Sequence, residues 1–168
     1  MSPRPPAPDA PAGGPEGHVF LEHTADIRLL AWAQSLPEVI AQALLATASV
    51  LFPAPEVARV ETRIVTLEAP DPVSLVVQSL NELLFLLDTE GFLLGQVSVE
   101  VSGPGLEQQK PARSAPVRAT LRLTGDRLGS SQREYRVMAG LKAATYNCAR
   151  VSYVPERRRW EATLTLDV

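Results

Sequence analysis

The chain has 168 residues, of which 45% are hydrophobic and 21% charged, with a formal net charge of −3. This length fits one compact domain that needs no metal clip or disulfide, and the single cysteine, Cys148, excludes an internal disulfide framework. No apolar run of about 20 residues and no secretory signal are found in the sequence, which predicts a cytoplasmic protein without a membrane span.

Charge is distributed unevenly along the chain. Residues 1–104 carry 4 Lys and Arg against 13 Asp and Glu, whereas residues 105–168 carry 12 against 6. If both halves belong to one domain, this distribution predicts an acidic side and a basic side of the surface, which would suit a charged partner. Exposed arginines that only solvate the faces of strands would produce the same uneven distribution. The overall acidity argues against an independent nucleic-acid-binding domain.

The first residues have a different composition from the rest. Residues 1–17 are mostly Pro, Ala, Gly and charged residues, so we predict a disordered tail followed by a single domain of residues 18–168. Short strands are predicted at residues 19–22 and 27–33. The segment between them has the polar sequence HTAD, which follows Glu22.

Two helices are predicted from their start signals and their apolar periodicity. Residues 35–38, SLPE, have capping-box spacing with proline in the first turn, and the apolar stripe that follows stops at Pro53. Residues 71–72, Asp-Pro, repeat this kind of start before a second stripe that ends at Gly91.

The remaining periodic segments are predicted strands: residues 60–69, 96–102, 117–124, 149–154 and 160–166. Two long helices and six or more strands without regular alternation indicate an α+β fold. We expect a mainly antiparallel sheet of about six strands with both helices packed on one face. A polar loop covers residues 103–116, and the last strand leads to Asp167 and Val168 at an end of the sheet.

Asp26 and Asp167 are the residues that could act together chemically. Taken singly, Asp26 has an ordinary role as a turn residue that hydrogen-bonds its own backbone, and Asp167 as a solvated carboxylate. Two carboxylates with a main-chain carbonyl or the chain terminus would suit Ca²⁺ or Mg²⁺, whereas softer metals lack nitrogen and sulfur ligands here. The hypothesis requires Asp26 and Asp167 to be adjacent in space.

Three further features have both a functional and an ordinary interpretation. His23 lies among polar residues, where its ring could equally hydrogen-bond the turn backbone. Lys142 is a single cation among small and apolar residues and could be a functional contact or a side chain extending from the edge of the core. Arginines 157–159 could contact phosphate or only solvate a hairpin turn.

Four segments of the chain resemble the archease family: FLEHTAD at residues 20–26, LNELL at 80–84, LKAATY at 141–146 and LDV at 166–168. The resemblance covers about residues 18–168 and implies the archease-like α+β fold. It implies as partner an RtcB-type RNA ligase, which joins RNA ends in tRNA splicing or RNA repair with GTP and a divalent metal. The chain is then a non-enzymatic activator that promotes ligase guanylylation and turnover and broadens the use of nucleotide triphosphates.

The resemblance also implies a metal site. In the family a cation is held by the aspartate of the N-terminal motif, the penultimate aspartate and the terminal residue, which correspond here to Asp26, Asp167 and Val168. Ca²⁺ is the expected ion, with Mg²⁺ or Mn²⁺ as alternatives, and His23 and Lys142 are expected to support the site or the partner. Family members usually carry His where this chain has Asn147, and they often have an Asp and a His in the segment corresponding to residues 130–135.

Two other functions are kept as alternatives. A metal-dependent phosphohydrolase would use Asp26, Asp167 and His23, but the sequence offers few general acids or bases. A chaperone or RNA-binding module would use the basic C-terminal half, but only three tyrosines are present and basic and aromatic residues do not alternate. Assays with GTP alone, with RNA alone, and with ligase plus both would separate the three functions.

Overall fold

The computed structural model describes residues 13–21, 26–104, 116–129 and 133–168. These residues form two helices and seven strands: β1 (Gly17–Leu21), β2 (Ile27–Ala33), α1 (Leu36–Leu51), β3 (Glu61–Ala69), α2 (Pro72–Glu90), β4 (Phe92–Ser102), β5 (Val117–Arg127), β6 (Ala143–Val154) and β7 (Arg159–Asp167).

The strands form two sheets, and every pairing between them is antiparallel. One sheet has the order β1-β2-β7-β6 and the other has the order β3-β5-β4. The predicted α+β class is confirmed. The described strands number seven rather than about six and are divided between two sheets. Periodicity indicates which face of a strand is buried but not which strand lies beside it, so the division could not be seen in the sequence.

Both helices begin and end where their signals predict. The Ser35 hydroxyl accepts a hydrogen bond from the Glu38 amide at 3.3 Å, and the Asp71 carboxylate accepts one from the Ser74 amide at 2.7 Å. Gly91 ends α2 in the left-handed conformation, with φ of 66°, which glycine adopts without a steric penalty. Neither of these helices is both long and apolar enough to cross a membrane.

The two helices join the sheets into one core. Helix α1 contacts β2 of the four-stranded sheet and β4 of the three-stranded sheet, and α2 contacts β6 and β3. Each fully buried leucine or isoleucine side chain contributes about 1.5–3 kcal/mol relative to exposure. Such side chains come from both sheets and both helices, and include Leu29, Ile40, Leu44, Leu80, Leu83 and Leu121.

Strand boundaries differ from the prediction where the pairing is irregular. Strand β4 begins at Phe92 rather than at Gln96, and its register with β5 shifts between Leu94 and Gln96. Strand β6 begins at Ala143 rather than at Ala149, and its register with β7 shifts between Thr145 and Arg150. Each irregularity breaks the two-residue alternation on which strand prediction depends.

Several segments discussed in the sequence analysis lie partly or wholly outside the described residues. These are the tail over residues 1–12, the EHTA segment at residues 22–25, and residues 105–115 and 130–132. The last residues of the predicted tail are described: Gly17 begins β1, and the Gly14 carbonyl accepts a hydrogen bond from Trp32 Nε1 at 3.1 Å. Residues just before His18 therefore contact the domain.

Gly125 generates a stability prediction because β4 passes very close to it. A Cβ atom at Gly125 would overlap the Leu93 carbonyl oxygen, a backbone atom that cannot move without disturbing the β4–β5 pairing. We expect Gly125→Ala to lower the free energy of unfolding by about 2–3 kcal/mol, as overpacking does. Urea denaturation measures the change.

Gly140→Ala is the matched control, since a Cβ atom there meets no atom within 4 Å. Its free energy of unfolding should stay within about 0.5 kcal/mol of the wild type. Equal denaturation midpoints for the two variants would contradict the close approach at Gly125.

Candidate functional site

Asp26 and Asp167 lie at the same end of the four-stranded sheet. Ile27 of β2 pairs with Leu166 of β7, and the strands are antiparallel. Asp26 directly precedes Ile27 and Asp167 directly follows Leu166, so the register carries the two aspartates to positions across from each other. Facing Cα atoms in such a pair are about 4.5–5.5 Å apart. The structure therefore places the backbones of the two aspartates that the sequence singled out at facing positions.

The two aspartates belong to the outer face of this sheet, away from the helices. Ile27 packs against the core, and Leu166 is fully buried in it. Successive side chains of a strand point to opposite faces of the sheet, so Asp167, which follows Leu166, points outward. Asp26 directly precedes Ile27 of β2, so the same alternation directs the Asp26 side chain outward as well. Both aspartates are half-buried. They are thus held by the sheet yet accessible from its end.

Lys142 and β6 complete this end of the sheet, which we name the aspartate rim (Asp26, Asp167, Val168 and Lys142). The Lys142 amide donates a hydrogen bond to the Asp167 carbonyl at 2.8 Å, and Ala143 pairs with Asp167. The Lys142 residue is exposed, and Val168 is 52% exposed. The contact that Lys142 makes with Asp167 is therefore through the backbone and does not involve its side chain.

Asn81 of α2 holds the start of β6 in place. Its Oδ1 accepts a hydrogen bond from the Ala144 amide at 2.8 Å, and its Nδ2 donates one to the Ala144 carbonyl at 3.1 Å. Strand β6 is at the edge of the sheet, and the asparagine side chain pairs with it as a neighbouring strand would. In the sequence, the only signal for this contact with β6 was the position of the Asn81 amide next to the leucine-rich stripe that contains the buried residues Leu80 and Leu83.

A bulge in β6 lies next to the rim. Thr165 Oγ1 donates to the Asn147 carbonyl at 2.8 Å, and Cys148 has a φ of 56°. Tyr146, Asn147 and Cys148 are all exposed on this bulge. Asn147, where the resemblance noted in the sequence leads us to expect histidine, is therefore a surface residue a few positions from the aspartate rim.

Tyr135 fastens the segment that leads to Lys142. Its hydroxyl donates to the buried Asp126 carboxylate at 2.9 Å and accepts from the Ala58 amide at 3.0 Å. The Met138 amide donates to the Leu51 carbonyl at 2.7 Å further along the same segment. Sequence reasoning missed this role, because nothing in the pattern connects a tyrosine to an aspartate nine residues earlier across a turn.

Other candidate residues lie elsewhere or outside the described residues. His23 falls within residues 22–25 and is not described. His18 Nδ1 lies 3.5 Å from Gln42 Oε1, and its ring packs edge-on against Phe20. In the described ranges, no group of three or more His, Cys, Asp or Glu side chains has a metal-binding arrangement. The rim thus offers two carboxylates, and main-chain oxygens or water would have to supply further ligands.

Comparison with known proteins identifies the chain's relatives. The model of the Archease protein family (MTH1598/TM1083) matches residues 18–168. "Protein archease" of Methanosarcina acetivorans is 40% identical over 81 residues, which are 48% of this chain and 56% of that protein. The alignment thus spans little more than half of that relative. "Protein archease" of Pyrococcus abyssi is 29% identical over 147 residues, 88% of this chain and 95% of that protein.

A solved structure has the same fold. The solution structure of Methanobacterium thermoautotrophicum protein 1598 is 26% identical and covers 90% of this chain and 99% of its own, with a TM-score of 0.65. The family match extends over both sheets, both helices and the aspartate rim. The chain belongs to the archease family.

Proposed function

We propose that the chain is a non-enzymatic, cytoplasmic activator of an RtcB-type RNA ligase. It promotes guanylylation of the ligase and its turnover in tRNA splicing or RNA repair, and it broadens the nucleotide triphosphates that the ligase accepts. Family membership supports this proposal. The structural observation that carries it is the facing position of Asp26 and Asp167 at one end of the four-stranded sheet.

The rim is proposed to hold a divalent cation. The Asp26 and Asp167 carboxylates and a main-chain oxygen of Val168 would be the protein ligands, with water in the other positions. Oxygen-only ligands suit hard cations, so Ca²⁺ is the first choice and Mg²⁺ or Mn²⁺ are the alternatives. When bound, such an ion supplies positive charge at which phosphate oxygens of the ligase-bound triphosphate can be positioned.

The protein's own residues hold the proposed cation ligands in a fixed position. Asp26 and Asp167 adjoin paired strands, the Lys142 amide fixes the Asp167 backbone, and Asn81 fixes β6 beside it. A site built on strands keeps its geometry when a partner docks, and positioning is the main requirement of phosphoryl-type transfer. The rim reaches RNA only through the ligase in this proposal, with the Lys142 side chain available at the contact.

The first prediction from the proposed function concerns the two carboxylates. Asp26→Asn and Asp167→Asn should each lower the rate of ligase guanylylation in the presence of the activator by about tenfold or more, because each removes a charged ligand. Both residues lie at the rim, so the melting temperature without metal should change little. The double variant should be scarcely worse than either single one, since both act through one cation.

Glu100→Gln is the matched control, because Glu100 is an exposed acidic residue of β4 in the other sheet. It should activate like the wild type. Wild-type activation by a folded Asp26→Asn protein would refute the role of the rim. Hydrolysis of GTP by the chain alone would favour the phosphohydrolase instead, and RNA binding without ligase activation would favour the RNA-binding module.

A second prediction measures the cation directly. Ca²⁺ at 100 times its dissociation constant should stabilise the wild type by about 2.7 kcal/mol, which raises the melting temperature by about 5–10 °C. Asp26→Asn and Asp167→Asn should lose this shift, whereas Glu100→Gln should keep it. A shift that persists in both aspartate variants would place the cation elsewhere on the chain.

A third prediction concerns Asn81 as a positioning residue. Asn81→Leu leaves the amide and carbonyl of Ala144 without their partner and should cost about 2 kcal/mol in urea denaturation. Since β6 pairs with Asp167, the apparent Ca²⁺ affinity should also fall, by about tenfold.

Gln78→Leu is the control, being an amide on the same helix without a side-chain hydrogen bond to the described residues. Neither its stability nor its Ca²⁺ affinity should fall in the same way. If Asn81→Leu loses stability but binds Ca²⁺ normally, the asparagine supports only the fold.

A further inference from the structure

A basic cleft lies at the opposite end of the four-stranded sheet from the aspartate rim. It has a volume of about 380 Å³, with Arg157, Arg158 and Arg159 on one side and Gln34 and the backbone of residues 13–15 on the other. Strand β7 runs from Arg159 to Asp167, so about 26 Å separate the cleft from the rim at about 3.3 Å per residue. The two regions are distinct.

Arg159 is not a solvated surface arginine. It is only 7% exposed, its guanidinium carbon lies 4.9 Å from the centroid of the Trp32 ring, and its Nε and Nη2 are each 3.3 Å from Glu161 Oε1. A buried guanidinium requires such partners, because its removal from water is costly. Arg159 is therefore a fixed positive charge in the wall of the cleft.

Arg157 shares the same carboxylate. Its Nη1 lies 2.7 Å from Glu161 Oε1 and 3.2 Å from Oε2. One glutamate thus faces two guanidinium groups on this side of the cleft. Glu156 is an exposed residue of the same turn and does not line the cleft.

Arg158 adds a third cation from a constrained backbone. Its φ of 51° is in the left-handed region, which a non-glycine residue adopts at a cost, and its amide donates to the Pro155 carbonyl at 3.2 Å. Among the residues that the structure describes, no carboxylate forms an ion pair with Arg158. Its charge is available to a ligand.

The opposite wall is fastened to the sheet. Trp32 Nε1 donates to the Gly14 carbonyl at 3.1 Å, and a Cβ atom on Gly13 would come within 2.7 Å of the Trp32 ring. The same indole therefore contacts Arg159 on one face and the backbone of the opposite wall at its edge. Trp32 thus contacts both sides of the cleft and fixes their positions relative to each other.

We propose that this cleft is a phosphate-binding site, a second site beyond the proposed function and independent of it. Guanidinium groups bind phosphate through paired donors, and three consecutive arginines, of which Arg157 and Arg159 are held by Glu161, present several such donors. The volume lies within the range of small-ligand pockets. The phosphate could belong to a free nucleotide or to the backbone of an RNA strand.

The test measures binding by the full chain at low salt with three probes: inorganic pyrophosphate, GTP and a single-stranded RNA of about ten nucleotides. Arg158→Asn should weaken binding about fivefold or more, since asparagine tolerates the left-handed backbone but carries no charge. Arg122→Gln is the control, because Arg122 is an exposed arginine of β5 in the other sheet. It should bind like the wild type, and thermal melts should show both variants folded.

Each probe has a defined outcome. Binding of all three probes, weakened only by Arg158→Asn, supports a general phosphate site. Binding of RNA alone, with a salt dependence that decreases in Arg158→Asn, supports the RNA backbone as the source. Failure of all three probes to bind at low salt overturns the proposal. Equal weakening by Arg122→Gln and Arg158→Asn also overturns it, because binding would then follow net charge and not the cleft.

Discussion

The pairing of β2 with β7 is the interaction on which the rest of the molecule depends. It joins a segment near residue 30 to a segment near residue 165 and continues through seven paired positions, from Ile27 with Leu166 to Ala33 with Trp160. The core face of this pair packs on α1, its outer face carries Trp32 and Arg159, and its end carries the two aspartates. A shift of one residue in this register would exchange the two faces and separate Asp26 from Asp167.

Local signals in the sequence were sufficient to predict the helices and to single out the two aspartates of the rim. Ser35, Asp71 and Gly91 marked the helix ends because caps act through neighbouring residues alone. Asp26 and Asp167 stood out as carboxylates beside predicted strands. Their facing position follows from a pairing between distant segments, which periodicity does not encode. Asn81 and Tyr135 could not be assigned for the same reason, since each acts on a backbone far along the chain.

The uneven charge of the two halves is partly cancelled by the fold. Strand β5, from the basic half, lies between β3 and β4, so Arg118 pairs with Glu68 and Arg127 with Glu61 across the β3–β5 ladder. These exposed pairs contribute little stability individually. These ion pairs nevertheless neutralise part of the positive charge of the second half of the chain. In the 157–159 turn, by contrast, three arginines follow one another, and Arg157 and Arg159 share the carboxylate of Glu161.

The same β2–β7 pairing has a consequence for how the protein folds. Helix α2 and strands β3, β4 and β5 lie within residues 61–127, so their contacts close shorter loops, whereas Ile27 and Leu166 must meet across about 140 residues of chain. Contacts between distant segments form slowly because the entropy of loop closure is lost before the contact stabilises anything. We therefore expect the three-stranded sheet to form early and the four-stranded sheet late. The aspartate rim and the arginine cleft, at the two ends of that later sheet, would then be assembled only when folding is nearly complete, and a partly folded chain would possess neither.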